Sequence, residues 1–515
     1  MNRCYGVAVL LSLLVAGCSG YNPGFNSGPP PPPPTGPYSN ASLSGQYAFS
    51  MAGQEPAGTN FARIGSFTAD GQGHITAGME DLAVLGQAAE LTFSASTYSI
   101  QANGRGTLNL TDSTGTSSFS IALVSAGNGY IVETDNNGTA SGSFAPQTAS
   151  AFSQTSINGN YVFDFSGLDA SAQASSGGVA ASLVGEFGAN GGGGISGGVL
   201  DLNEGGTLFP NEPFTGSYAL DATNGNGSTF GRATATINSP SLGTRNFAFY
   251  IVNGTDAKFL EEDTVGVTFG DAGGQSAGMP ANLTALNGSF AFMIGGSSSQ
   301  GPIATAGRFT ADGSGNISAI TLDENNSGSV DSVTSGAGTS NYNVDASGDG
   351  RGTISFNIGS VPFTFVFYLI SPSSAVLQET DSGITSDGSM LAQTQNPFSN
   401  SSLAGNYAFD WSGSDGFEQD FTGEYTLASA SSNNISGVLD YNELSLGVVF
   451  RNVVLSGGLA LSGDGTGRNT FTATLESAPQ ITLGGSVYVV NDGTAFFVGT
   501  TSARVIEGVM SRPIV

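Results

Sequence analysis

The chain has 515 residues, 40 of them acidic and 12 of them lysine or arginine, so its formal net charge is −28. A field of this sign repels phosphate backbones, so nucleic acid is excluded as an expected partner. Hydrophobic residues make up 39% of the chain, which excludes a disordered chain, and the single histidine excludes mechanisms that need two.

The first twenty residues have the pattern of an export signal. Arg3 precedes an apolar run from Val7 to Ala16, which is too short to cross a bilayer but fits the hydrophobic region of a secretory signal. The run ends in Leu-Val-Ala-Gly-Cys at 14–18, and this ending resembles the lipobox of bacterial lipoproteins. The resemblance implies that Cys18 carries the lipid, that residues 1–17 are removed, and that the membrane is a partner through this lipid.

The same resemblance implies a place in the cell envelope. Ser19 follows the lipidated cysteine, where an aspartate favours inner-membrane retention in enterobacterial lipoproteins, so serine implies the outer membrane. The other cysteine, Cys4, lies in the removed segment, so no disulfide is expected. Residues 18–37 hold the anchor and a tether, in which Pro29 to Pro34 favour a stiff polyproline II spacer of roughly 19 Å.

The rest of the chain contains four copies of one unit. An aromatic residue follows a Gly-containing opening at Tyr47, Tyr161, Phe290 and Tyr407, at steps of 114, 129 and 117 residues. We divide the chain into copies at 38–152, 153–280, 281–397 and 398–515. This body resembles uncharacterised Gly/Ser/Thr/Asn-rich repeat proteins exported by soil bacteria such as acidobacteria, a resemblance that implies no activity.

Each copy has the pattern of an all-β domain. Short runs rich in Thr, Val, Ile, Phe and Tyr alternate with Gly/Asn/Asp turns, which predicts roughly seven to nine strands joined by hairpins. Sequential hairpins favour an up-and-down barrel, since eight strands can close without exposed edges. The layout resembles calycin-type barrels such as lipocalins. We therefore predict four tandem antiparallel barrels, with β-sandwiches or a propeller of two blades per copy as alternatives.

Charged residues recur at matched positions in the copies. The set consists of an aspartate after the first hairpin, an arginine in the second hairpin and a closing acidic pair that is missing from the fourth copy: Asp81, Asp201, Asp323, Asp440; Arg105, Arg232, Arg351, Arg468; Glu133, Asp135, Glu261, Asp263, Glu379, Asp381. Alternation along a strand predicts that the two acids of each pair point the same way. The set is either a ligand-binding rim or one structural Arg–carboxylate bridge in each barrel. Repetition in every copy favours the structural role, because every copy must fold.

The remaining candidates have simple structural interpretations. His74 occupies a hairpin turn, where the other copies have Gly or Asn. Asp70, Asp312 and Asp464 lie in Gly-rich loops, which offer fewer carboxylates than a calcium site needs. No metal site or cofactor is therefore predicted, although loose calcium binding stays a candidate. Trp411 has apolar counterparts in the other copies, so it is expected in the core.

These features favour a non-enzymatic protein with a role in binding, adhesion or envelope structure, whose candidate partners are a glycan or a protein surface. The first alternative is a small-ligand carrier that uses the barrel interiors. The second is a carboxylate-based polysaccharide hydrolase, which needs two carboxyl groups about 5–9.5 Å apart across a cleft.

Overall fold

A computed structural model describes residues 38–84, 87–169, 178–334, 340–358, 362–394, 398–399, 403–428, 433–476 and 480–513. The expected signal peptide, the lipid anchor at Cys18 and the proline tether lie outside these residues. The described chain is built from antiparallel strands and a few short helical turns, at Asn40–Ser42, Ala149–Ala151, Gln154–Ser156, Thr223–Gly225, Asn226–Phe230 and Leu283–Ala285. None of the helices in these ranges is long and apolar enough to cross a membrane.

Four sheets follow one another along the chain, as the repeats predict. We number them barrels 1 to 4. Barrel 1 consists of β1 Ser44–Gln54, β2 Asn60–Asp70, β3 His74–Val84, β4 Gln87–Thr92, β5 Ser96–Ile100, β6 Arg105–Thr111, β7 Thr116–Ser125, β8 Asn128–Glu133 and β9 Thr139–Pro146. Barrel 2 consists of β10 Asn158–Asp169, β11 Val179–Asn190, β12 Gly194–Glu204, β13 Thr207–Leu220, β14 Arg232–Ser239, β15 Gly243–Ile251, β16 Asp256–Glu261 and β17 Gly266–Gly274.

Barrels 3 and 4 repeat the same order of hairpins. Barrel 3 consists of β18 Asn287–Ser298, β19 Gly301–Asp312, β20 Ile317–Asn326, β21 Ser329–Thr334, β22 Asn341–Val344, β23 Arg351–Phe356, β24 Phe363–Ser371, β25 Ser374–Glu379 and β26 Ile384–Ala392. Barrel 4 consists of β27 Gly405–Ser414, β28 Glu418–Leu427, β29 Asn434–Glu443, β30 Val448–Leu461, β31 Arg468–Leu475, β32 Ile481–Val489, β33 Thr494–Gly499 and β34 Val505–Ser511.

Each sheet is an up-and-down meander in which the first strand also pairs with the last. Barrels 2 and 4 are closed by eight strands. Barrel 1 closes through pairing of β2 with both β1 and β3, and β4 is added beside β3. In barrel 3 the described strands β21 and β22 do not pair with each other, and a single bridge joins Asn316, just before β20, to Asn341 in β22. The prediction of antiparallel barrels is therefore confirmed over the sandwich and propeller alternatives.

Inward-facing residues fill each barrel with aromatic and branched side chains. In barrel 4 Trp411 is fully buried and stacks on Phe409 and Phe497, with ring centroids 4.1 and 4.6 Å apart, which confirms its predicted place in the core. Tyr47 and Phe49 open barrel 1 and are likewise buried in its core. Each barrel therefore has a core of its own, as expected when every copy must bury its own apolar face.

The outward faces of neighbouring barrels also pack together. Apolar clusters join barrel 1 to barrel 2, barrel 2 to barrel 3, and barrel 3 to barrel 4. A fourth cluster, of Ala122, Tyr130, Ala408 and Val509, joins barrel 4 back to barrel 1. There the Tyr130 hydroxyl donates to Ser511 Oγ at 2.7 Å. The four barrels therefore form a closed ring with four junctions.

Candidate functional site

The recurring Arg and Asp residues meet at the junctions between barrels. Each aspartate of the third strand pairs at 2.7 Å with an arginine from the next barrel around the ring: Asp81 with Arg232, Asp201 with Arg351, Asp323 with Arg468, and Asp440 with Arg105. We expected each Arg–carboxylate bridge to form within one barrel; this expectation is wrong, because each bridge joins two neighbouring barrels. In β3, Leu82 and Val84 point into the core of barrel 1, whereas Met79 lies in the cluster between barrels 1 and 2. Asp81 is two residues after Met79 and shares its face, so it faces barrel 2.

The aspartate of each pair is buried, and the pairs at the first three junctions share one geometry. Arg232 donates from Nε at 2.9 Å and from Nη2 at 2.7 Å to the Asp81 carboxylate, and Tyr250 Oη adds a third donor at 2.7 Å. The Tyr368–Asp201 and Tyr488–Asp323 bonds repeat that third contact. Burial raises the pKa of Asp323, but hydrogen bonds from Arg468 and other donors outweigh it and hold the pKa below its ordinary value. A buried carboxylate with three donors acts as a structural clamp.

The junction between barrels 4 and 1 differs from the other three in the contacts around its arginine. Barrel 1 has Ala122 opposite Arg105, where barrel 2 pairs Tyr250 with Arg232, so this junction has no tyrosine donor. Arg105 Nη1 instead donates to Asn452 Oδ1 at 3.1 Å. The contacts that close the ring have thus diverged from the repeated pattern.

A second repeated contact was not identified from the sequence. Two residues after the aspartate, three copies have an asparagine whose amide donates to backbone carbonyls of the next barrel. Asn325 reaches the carbonyls of Gly499, Thr501 and Arg504 at 2.7–3.0 Å, and Asn203 and Asn442 act in the same way. The repeated Asp-x-Asn spacing at 201–203, 323–325 and 440–442 was the available signal.

The closing acidic pairs divide between two roles, which corrects the prediction that both acids point the same way. Glu133, Glu261 and Glu379 are the last residues of their strands and face the barrel interior. Asp135, Asp263 and Asp381 lie beyond the strand ends, where alternation no longer applies. Their carboxylates accept the backbone N–H of Ser118, Asn246 and Thr364 at 2.8, 2.6 and 3.2 Å.

The interior glutamates lie at the mouth of each barrel, by which we mean the end opposite the linkers. In barrel 1, Arg63 lies between Glu80 at 3.5 Å and Glu133 at 3.4 Å and over the ring of Phe61 at 5.3 Å. Burial raises the pKa of both glutamates to about 7, although the nearby Arg63 charge lowers it. An arginine therefore neutralises the buried acids at this mouth.

Barrels 2 and 4 have comparable arrangements built from different positions. In barrel 2, Arg245 lies 2.6 Å from Asp169 and 3.1 Å from Glu261. In barrel 4 the loop residue Arg504 lies 3.6 Å from Glu443 and 3.9 Å from Asp415. Gly499 occupies the position of the interior glutamate there, as the sequence indicates.

The turn candidates are occupied by contacts within their own loops. Asp70 Oδ1 accepts the backbone N–H of Gln72 and His74, and Oδ2 lies 2.9 Å from His74 Nδ1. The hydrogen bonds from His74 and Gln72 lower the pKa of Asp70 to about 2. Asp312 and Asp464 accept equivalent bonds. The positive φ angles fall on Gly71 and Gly73, so His74 begins β3 and does not take the left-handed position.

Two cavities in the described ranges can be compared with what the two alternative functions need. An apolar cavity in barrel 2, lined by residues such as Phe163 and Phe214, has a volume of about 30 Å³, room for one water. A surface depression of about 410 Å³ in barrel 4 contains Asp464 as its single lining carboxylate. Neither can hold a sizeable ligand inside a barrel or an opposed carboxylate pair.

No protein-family model and no curated protein matches the chain. Among solved structures, a redesigned β-barrel bound to DFHBI is 19% identical, covering 22% of this chain and 100% of its own, with a TM-score of 0.18. Transferrin binding protein B of Neisseria meningitidis is 12% identical, covering 74% of this chain and 82% of its own, with a TM-score of 0.21. A variant of that protein from Haemophilus parasuis is 9% identical, covering 75% and 83%, with a TM-score of 0.21. At these TM-scores the similarity identifies no function.

Proposed function

We propose that this protein is an exported, lipid-anchored binding protein of the cell envelope, without catalytic activity, whose four barrels form one rigid ring. The observation that carries the proposal is the closure of the ring by Arg105 and Asp440. The residues repeated in every copy are used to hold barrels together, so they are not available as a catalytic set. What remains for function is the outer surface of the ring.

The position of the first described residue supports an orientation for this ring. The Tyr38 N–H donates to the Ala102 carbonyl, beside the loop that precedes Arg105, so the chain enters at the linker end of barrel 1. A tether running from Cys18 to this point would leave the linker end nearer the membrane and direct the mouth of barrel 1 outwards. The mouths are then the surfaces most accessible to a partner.

A protein partner fits this surface better than a glycan. The only tryptophan, Trp411, is buried, and Phe417 is the single exposed aromatic among the large apolar side chains in the described ranges. A row of stacking rings for sugars is therefore not present in those ranges. The net charge of −28 instead favours a basic protein surface, which it would attract over long range.

The test is a binding array of proteins and glycans, probed with residues 38–515 in the presence and absence of calcium. Reproducible protein binding that disappears when one mouth is altered would support the proposal. A blank array would favour a role as an envelope coat without a soluble partner. Turnover of a polysaccharide would overturn the proposal.

A further inference from the structure

Three of the four barrels neutralise their interior acids with an arginine of their own. Each barrel has an inward-facing glutamate on its third strand, namely Glu80, Glu204, Glu324 and Glu443. The arginine differs in origin, since Arg63 comes from a second strand, Arg245 from a sixth strand and Arg504 from a loop. In these three barrels an arginine therefore lies beside interior carboxylates, although it comes from a different position in each barrel.

Barrel 3 retains the acids but lacks the cation. Phe363 stands where barrel 2 has Arg245, and Thr305 stands where barrel 1 has Arg63. The two arginines in the sequence of this barrel are committed elsewhere: Arg351 donates to Asp201 at the junction, and Arg308 donates to Gln393 and the Ala319 carbonyl.

In the part of the chain that the structure describes, only one of the two carboxylate oxygens of Glu379 accepts a hydrogen bond at this mouth. Its side chain is 1% exposed and one oxygen, Oε2, accepts from Ser386 at 2.8 Å. The other oxygen, Oε1, has no hydrogen-bond partner within the described ranges. Burial, together with the charges of Asp381 and Glu324, raises the pKa of Glu379 to about 8, although the hydrogen bond from Ser386 lowers it. A buried carboxylate oxygen without a donor is costly unless a cation supplies one.

We propose that the mouth of barrel 3 binds a guanidinium or ammonium group supplied by a ligand, at the place where the other barrels hold their own arginine. This inference rests on the proposed binding function and names the chemistry that the ring recognises. No cluster of three acidic, histidine or cysteine side chains in the described ranges is arranged for a metal ion, which favours an organic cation. Phe363 packs against the core of barrel 3 at the register position of Arg245, so this mouth contains an aromatic side chain that can take part in a cation–π contact.

The test is calorimetric titration of residues 38–515 with argininamide, and with N-acetylnorvalinamide, which has no ionisable amine, as the uncharged control ligand. Argininamide should bind and N-acetylnorvalinamide should not. Glu379→Gln should weaken binding at least about tenfold, since it removes the charge from a charge-assisted hydrogen bond. Phe363→Arg should abolish binding, because it supplies from within the arginine that barrel 2 has at this position. Glu261→Gln, the matched change in the filled mouth of barrel 2, should leave binding unchanged.

Two results would overturn the inference. One is a folded wild-type body that does not bind argininamide. The other is equal binding by wild type, Glu379→Gln and Phe363→Arg, which would indicate loose attraction to the acidic surface. An Ala-Arg-Ala peptide distinguishes the sources, since tighter binding than argininamide indicates a protein side chain and equal binding a small organic cation. Partner binding in the array that survives Phe363→Arg would leave the proposed function standing while this site fails.

Discussion

Replacing Arg105 with methionine should weaken the junction between barrels 4 and 1. Arg105 and Asp440 are 6% and 9% exposed, so the variant leaves a buried carboxylate without its cation. Breaking a buried pair costs about 3–5 kcal/mol. We expect the lower end, about 3 kcal/mol, because the Asn452 N–H still donates to Asp440 Oδ1 at 2.5 Å.

Trp411 provides the assay for this prediction. It is the only tryptophan and is buried in barrel 4, so urea unfolding followed by its fluorescence reports on the barrel that contains Asp440. A loss of about 3 kcal/mol should lower the midpoint by roughly 1–3 M. The double variant Arg105→Met with Asp440→Leu should recover much of the loss, since replacing both partners by apolar residues is often neutral. A loss below about 1 kcal/mol, the value of an exposed ion pair, would refute the reasoning.

Three further predictions concern other parts of the ring. Asn325→Ala removes three inter-barrel hydrogen bonds and should destabilise barrels 3 and 4 by about 1–3 kcal/mol in denaturant titrations, whereas Gln72→Ala in an exposed turn should have little effect. Burial raises the pKa values of Glu379 and Asp387 to about 8 and of Glu80 to about 7, so the folded state holds more protons than the unfolded chain between about pH 4.5 and 8. Tm should therefore rise as pH falls from 8 to 5, and a Tm that falls over this range would contradict the assignment. Because the carboxylates of Asp70 and Asp312 accept hydrogen bonds from the backbone of their own turns, a chelator should leave Tm unchanged, and a drop would reveal a bound divalent ion.

The barrels were predictable from the sequence because their signals are local. A Gly/Asn/Asp turn between alternating apolar runs specifies a hairpin from a dozen residues, and eight hairpin-linked strands have few ways to bury their edges. The order Tyr47, Ala48, Phe49 already shows which face of β1 enters the core.

The ring was not predictable in the same way, although its residues were. Arg232 and Asp81 were both identified, but they are separated by 151 positions, and nothing local shows that the aspartate faces outwards. Glu379 was identified as one of an acidic pair, yet its missing cation becomes visible only when the register places Phe363 and Thr305 at the positions of Arg245 and Arg63. Side-chain direction depends on where a strand ends, which explains the wrong expectation for Asp381.

The closure of the ring is the central claim, and a distance measurement between barrels 4 and 1 tests it most directly. The body from residue 38 onward contains no cysteine, so spin labels can be placed at Ala102→Cys and Thr426→Cys, on opposite sides of this junction. The matched pair, Thr68→Cys with Thr229→Cys, spans the junction of the adjacent barrels 1 and 2. Pulsed dipolar spectroscopy should give narrow distributions at similar distances for both pairs. A long, broad distribution for the Ala102–Thr426 pair alone would show an open string of barrels and contradict the account.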